Sequence, residues 1–180
     1  MAAPAFKYEP TGNVALDRIQ DGIRRAFAFL ATLDARPEVI SIVTEAPFTT
    51  TATTPQSTRL TFPVRAGDYW VIEYHGFAGN SNVAGMKYAV AAPTDTAIDG
   101  VLDTTLTSST DDTHVRIQTV NSPTIAVHTV AGGTRSDHLI ARLAVVKDGA
   151  VTLQVCSTNA GTTTTLDARA YLRATRYRRV

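Results

Sequence analysis

Arg59-Leu60-Thr61-Phe62-Pro63-Val64-Arg65 sets the reading of this chain. Leu60, Phe62 and Val64 alternate with Arg59, Thr61 and Arg65, so a pleated strand would bury one face and wet the other. Met86, Tyr88 and Val90 alternate in the same way. The rest of the chain from Val39 breaks into similar runs, near 39–44, 59–64, 69–77, 86–91, 114–120, 124–130, 138–146, 150–157 and 169–177. Turn residues separate them at the spacing of a sandwich. Residues 92–112 are rich in Thr, Asp and Ser and read as a long loop, with at most a short strand near 98–102. The expected fold class is mainly β, an antiparallel jelly-roll sandwich preceded by one N-terminal helix that forms a short trimeric coiled coil.

One connection can be argued to register. Asp148-Gly149 suggests a two-residue turn, but that register sets Leu143 against Gln154 and Val145 against Thr152. A three-residue loop, Lys147-Asp148-Gly149, sets Val145 against Val151, Leu143 against Leu153 and Ala141 against Val155. The second choice gathers the apolar residues on one face and is the expected one, with Gly149 in the left-handed position of a bulge.

Ahead of the strands, Leu16, Ile19, Ile23, Ala26, Leu30 and Leu33 recur at intervals of three and four, which places them on one stripe of a helix. Asn13 suits the N-cap, Asp17 favours the helix dipole, and Pro37 stops the run. Phe27 and Phe29 flank the stripe and widen it, which suits three helices or packing onto the β-domain. About two and a half heptads would not hold together alone, so the helices would need a larger trimeric body. A helix folded back on its own domain is the competing reading. Residues 1–12, punctuated by Pro4 and Pro10, form an extended attachment arm in which Phe6 and Tyr8 can dock on a partner. The expected organisation is an arm (1–12), a helical stalk (13–36) and a β-sandwich head (37–180).

Composition narrows the function. Of 180 residues 28 are threonine, a β-branched residue whose hydroxyl also suits solvent-facing strand positions and turns. The formal net charge of +1 gives no footprint for nucleic acid or acidic lipid. A single cysteine, Cys156, excludes an intramolecular disulfide, and on its strand it reads as a small buried residue. The N-terminal residues lack the basic and apolar stretches of a secretory signal. The longest apolar run, Ala26–Ala31, is far short of the ~20 residues of a membrane span. Synthesis in the cytoplasm, with no membrane or nucleic-acid partner, is the expectation.

No catalytic signature is legible. His75, His114, His128 and His138 share no metal-ligand spacing. Asp95, Asp99, Asp103, Asp111 and Asp112 gather in the long loop but match no calcium motif. There is no nucleophile elbow, phosphate loop or dinucleotide fingerprint, and Glu73 is the only glutamate inside an expected strand. We therefore expect no enzyme, no cofactor and no metal. Tyr69, Trp70, Tyr74, His75 and Phe77 form the richest aromatic stretch; they fill the core and a subunit interface, or their exposed members make a sugar-binding patch. In the last strand Tyr171, Arg173 and Thr175 share one parity and Ala170, Leu172 and Ala174 the other, so it should be half buried, with basic residues free to pair across subunits.

Three pieces carry a family resemblance: Leu60-Thr61-Phe62-Pro63-Val64-Arg65-Ala66-Gly67-Asp68-Tyr69, Gly85-Met86-Lys87-Tyr88-Ala89-Val90-Ala91-Ala92-Pro93, and Ala170-Tyr171-Leu172-Arg173-Ala174-Thr175-Arg176. With the helical stretch ahead of them they resemble tailed-bacteriophage virion fibre, spike or decoration proteins, which have a helical stalk and a trimeric, tumour-necrosis-factor-like jelly-roll head. The resemblance implies a homotrimer attached through its N-terminal region to a capsid, portal or tail protein of the virion. It implies assembly without turnover. A host-surface glycan is the partner that the alternative, a carbohydrate-binding receptor module on the same fold, would require.

Overall fold

Alternating burial runs through the computed structural model, which describes residues 25, 38–81, 85–106, 112–122, 124–125 and 134–177. The chain divides into two units, Met1–Pro37 and Glu38–Val180. In the first only Arg25 is described, helical and exposed. The seam residues Leu16, Ile19, Ile23, Ala26, Leu30 and Leu33 and the arm residues Phe6 and Tyr8 lie outside the described residues, as does His128.

The second unit is an antiparallel β-sandwich. Its described strands are β1 (Glu38–Val43), β2 (Phe48–Thr50), β3 (Gln56–Val64), β4 (Tyr69–Asn80), β5 (Met86–Ala91), β6 (Ala97–Leu106), β7 (Asp112–Ile117), β8 (Thr124–Ile125), β9 (Thr134–Ala144), β10 (Gly149–Ser157), β11 (Thr164–Leu166) and β12 (Tyr171–Tyr177). The larger sheet follows the path β1-β12-β4-β9-β6-β7, with β11 beside β4 and β2 beside β11; the smaller is β3-β10-β5-β8. Setting β1, β12, β4 and β9 in one sheet against β3, β10, β5 and β8 in the other is jelly-roll order.

Local chemistry explains several choices. Pro63 lacks an N–H, and β3 is an edge strand that can do without it. Opposite β10, β3 carries extra residues between Thr61 and Ser57, which face Thr152 and Gln154. There the Thr58 hydroxyl donates to Leu153 O at 2.6 Å and accepts from Leu60 N at 3.2 Å, replacing the interrupted ladder bonds. The paired hydroxyls of Thr61 and Thr152, 2.8 Å apart, do similar work in the regular part. Threonine thus supplies bonds between strands as well as β-propensity.

Both inner faces feed one core. Leu60, Phe62, Val151, Leu153 and Val155 come from the smaller sheet; Trp70, Ile72, Leu139, Leu143 and Leu172 come from the larger, and none is more than 2% exposed. Phe62 and Trp70 meet across the gap with ring centroids 5.0 Å apart. Beneath β4 lies a buried polar network. Tyr88 Oη donates to Asp137 Oδ2. That uses its single proton, so Tyr74 Oη, 3.5 Å away, is the donor to Tyr88.

Three expectations are corrected. β9 and β10 do not form a hairpin: β9 pairs with β4 and β6, and β10 with β3 and β5. Leu143 and Leu153 do serve one apolar core, but from opposite sheets. Their connection is pinned to the turn after β3, where Val145 N donates to Asp68 O, Gly67 N to Val145 O and Ala66 N to Asp148 Oδ1. Gly149 is not left-handed; among the described glycines only Gly67, Gly85 and Gly161 are. Lastly, the supposed long loop contains β6, which pairs with β7 and along its whole length with β9. Ile98 and Leu102 point into the core and anchor it, whereas Asp99 and Asp103 are the polar half of an alternating strand.

Candidate functional site

The outward face of the larger sheet carries most of the strongly exposed large hydrophobic side chains among the described residues. In β4 the residues Tyr69, Val71, Glu73, His75 and Phe77 point outward, while Trp70, Ile72 and Tyr74 point into the core. The aromatic stretch singled out in the sequence is therefore split: Trp70 and Tyr74 are buried, and Tyr69, His75 and Phe77 belong to the outer face.

Registers place this face in transverse rows. One row runs Val39, Thr175, Val71, Arg142, Asp99. The next runs Ser41, Arg173, Glu73, Ile140, Val101, Arg116. The third runs Val43, Tyr171, His75, His138, Asp103, His114 across all six strands of the path. Tyr177 and Tyr69 lie at one end, and Phe77 beside Ser136 at the other.

Large apolar side chains stand open on this face. Val39, Val43, Phe77, Val101, Ile140 and Tyr177 are each between 41% and 54% exposed. The other strongly exposed large hydrophobic among the described residues is Val146, in the connection after β9. Val101 and Ile140 are direct cross-strand partners at the centre. With strands ~4.8 Å apart and outward residues ~6.8 Å apart along each strand, the three rows span about 24 by about 14 Å, and Tyr69, Tyr177 and Phe77 lengthen the face to about 27 Å along β4. That is somewhat less than the ~800 Å² each partner buries in a standard protein interface.

Acids and bases are interleaved there. Arg173 Nη1 lies 4.0 Å from Glu73 Oε2, Arg116 Nη2 3.0 Å from Asp99 Oδ1, and His114 Nδ1 2.5 Å from Asp103 Oδ1. Each pair is solvent-exposed and worth ~1 kcal/mol or less in the isolated chain. In the third row the imidazoles of His75 and His138 stack, with centroids 4.0 Å apart and planes 15° from parallel. Burial, then the neighbouring His138, pull the His75 pKa below its ordinary value; Glu73 opposes them. Among the described residues no group of three or more His, Cys, Asp or Glu side chains is arranged to hold a metal ion.

Arg176 marks the end of the sheet. It bridges Glu38 Oε2 at 2.7 Å and Asp68 Oδ1 at 3.6 Å, and its guanidinium lies 5.9 Å from the Trp70 ring. Asp68 also accepts from Trp70 Nε1 at 3.2 Å. These contacts line a polar cavity of about 180 Å³ together with Pro63 and Arg65. Arg173, a basic residue of the last strand expected to be free to pair between subunits, and Arg176 thus have partners within the chain. Cys156 is buried, and burial pushes its thiol pKa up.

Val39, Val43, Val101, Ile140, His138, Asp103 and His114 are members of this face that the sequence reading did not gather. A signal was present. Val71-Ile72, Val101-Leu102 and Leu139-Ile140 put apolar residues on both parities of their strands. An antiparallel sheet with one solvated face commonly shows a clean alternation of apolar and polar residues, so these pairs mark an outer face more apolar than usual.

The chain matches no protein-family model and no curated protein sequence. Among solved structures it is similar to Eiger TNF from S. frugiperda, at 8% identity and a TM-score of 0.41, over 81% of this chain and 95% of that one. It is also similar to a chain of infectious bursal disease virus, Gx strain, at 10% identity and a TM-score of 0.22. That match covers 81% of this chain, which spans 37% of the viral one.

Proposed function

We propose that this chain is a non-enzymatic structural protein of a virus particle, a homotrimeric bacteriophage fibre, spike or decoration protein. Its copies associate through the outer face of the larger sheet. The observation that carries self-association is the concentration of exposed Val39, Val43, Phe77, Val101, Ile140 and Tyr177 on that face. A second copy is the fitting occupant because Glu73, Asp99 and Asp103 are interleaved with Arg173, Arg142, Arg116 and His114, so that in a three-fold ring one part of the face can meet a different, oppositely charged part of the next copy's face. The surface thus carries both halves of a complementary charge pattern. The trimeric state and the virion setting rest on the resemblance of the three strand segments. In that setting the N-terminal region attaches the head to a capsid, portal or tail protein, and the protein is made in the host cytoplasm.

Ile140→Lys tests the interface, because it sets a charge at the centre without touching the core. Sedimentation should show wild type as a trimer and the variant as a folded monomer. An undisturbed trimer in the variant would refute the interface. Mass spectrometry of purified particles tests the setting: the chain should be present in copies divisible by three.

The alternative, a carbohydrate-binding module, is favoured by outward Tyr69, His75 and Phe77. The two readings make opposite demands on these rings, since an interface covers them and a sugar site leaves them open. Glycan binding by the assembled protein that is lost in Phe77→Ala would favour the alternative.

A further inference from the structure

We propose that the stacked imidazoles of His75 and His138 make association through this face sensitive to mildly acidic pH. The neutral rings permit contact between copies, and their protonation opposes it. The inference rests on the assignment of that face to contacts between copies.

The geometry sets the rule. The rings lie 4.0 Å apart on adjacent strands, in the row that crosses the whole face. Val43 and Tyr171 flank them on one side, Asp103 and His114 on the other. In the isolated chain the His75 ring is exposed, so water can solvate a proton there. Covering the face removes that water, and two like charges at stacking distance then have no screening between them.

The charged neighbours decide whether this cost is relieved. On the outer face these are Glu73 on β4, Tyr171 and Arg173 on β12, Arg142 on β9, Asp103 on β6 and His114 on β7. Glu73 is shared with Arg173, and Asp103 is engaged by His114. The carboxylates nearest the stacked pair thus already have cationic or protonatable partners. Burial first, and then the neighbouring His138 ring, hold the His75 pKa below its ordinary value against the opposing Glu73.

The sign follows from linkage. His75 in the separated copies already titrates below the ordinary histidine pKa of ~6.5, so the separated copies bind more protons than the assembly only below that value, and association weakens as pH falls further. Each proton excluded per association event changes the association constant by about tenfold per pH unit once the free ring is largely protonated.

The test is the association constant of the full chain, measured by sedimentation at about pH 8 and about pH 5.5, either side of the ordinary histidine pKa. Wild type should weaken at least threefold at the lower pH, and His75→Gln/His138→Gln should change less than about twofold between the two, whatever its absolute affinity. Imidazole titration by NMR gives a second readout: the His75 pKa should be lower in assembled wild type than in monomeric Ile140→Lys. Equal association of wild type at both pH values overturns the pH inference and leaves the interface standing. Parallel weakening of wild type and the double variant assigns the effect to other groups and overturns it too. A wild type that is monomeric at about pH 8 overturns the interface itself.

Discussion

At Gly76 the fold depends on a missing side chain. A Cβ there would sit 2.0 Å from Tyr74 Oη, which folds back over its neighbour on the inner face of β4. Gly76→Ala must push the Tyr74 ring away from Tyr88, and overpacking of this kind costs ~1–3 kcal/mol. Thermal unfolding should show the loss. Tyr88→Phe removes the donor to buried Asp137, and a hydrogen bond to a charged group is worth ~1.5–3 kcal/mol. Both phenols are held above the ordinary tyrosine pKa of 10.0 by burial and by the Asp137 carboxylate. Because the folded state keeps protons that the unfolded chain releases, stability is fully present below pH 10.0 and falls as pH rises past it. The slope should approach ~1.4 kcal/mol per pH unit for each retained proton. Denaturant melts across that range check this, and phenolate absorbance from Tyr74 and Tyr88 should appear only with unfolding.

At the scale of elements, the β6–β7 hairpin is the addition that widens the platform. It joins the edge of β9 and contributes Val101, Asp99, Asp103, His114 and Arg116 to the outer face. Gly100 permits the close approach: a Cβ there would lie 2.4 Å from Ala141 Cβ and 2.6 Å from Ile140 O. Backbone atoms cannot give way as a flexible side chain does, so Gly100→Val should pry β6 from β9. Amide exchange should then quicken over 97–106 while β4 and β12 stay protected. Uniform protection in the variant would refute the dependence on Gly100. The segment reads as loop because its Thr, Ser and Asp content dominates. What makes it a strand is alternation, Ile98 and Leu102 inward against Asp99 and Asp103 outward, supplied with partners by β9.

At the scale of the whole molecule, assembly and stability are one equilibrium. A chain that buries its outer face against copies unfolds at a temperature that rises with concentration. Calorimetry across a hundredfold range, roughly 2.7 kcal/mol of mass action per binding event, should show this for wild type and not for Ile140→Lys. Much of the sandwich was legible in the sequence. Leu60, Phe62 and Val64 declare their buried face by period two, as do Leu172 and Ala174 in the last strand, because burial is a property of parity within one strand. Parity does not say which strand lies alongside. Leu143 and Leu153 satisfy it equally well as neighbours in a hairpin or as facing residues across a core, and hydrogen bonds from Gly67, Ala66 and Val145 decide for the second. The outer face was half legible: Leu139-Ile140 and Val101-Leu102 announce strands apolar on both sides, and Tyr69, His75 and Phe77 could be placed on one parity of β4. The stacking of His75 on His138 and the row through Asp103 to His114 could not be read. Those residues are far apart in sequence, and only the registers of four strands bring them into line. Local alternation was enough to set which side of each strand is buried. The tertiary structure alone decided which strands are neighbours, and therefore which outward residues share a surface, because pairing is settled by competition among every edge the chain can offer.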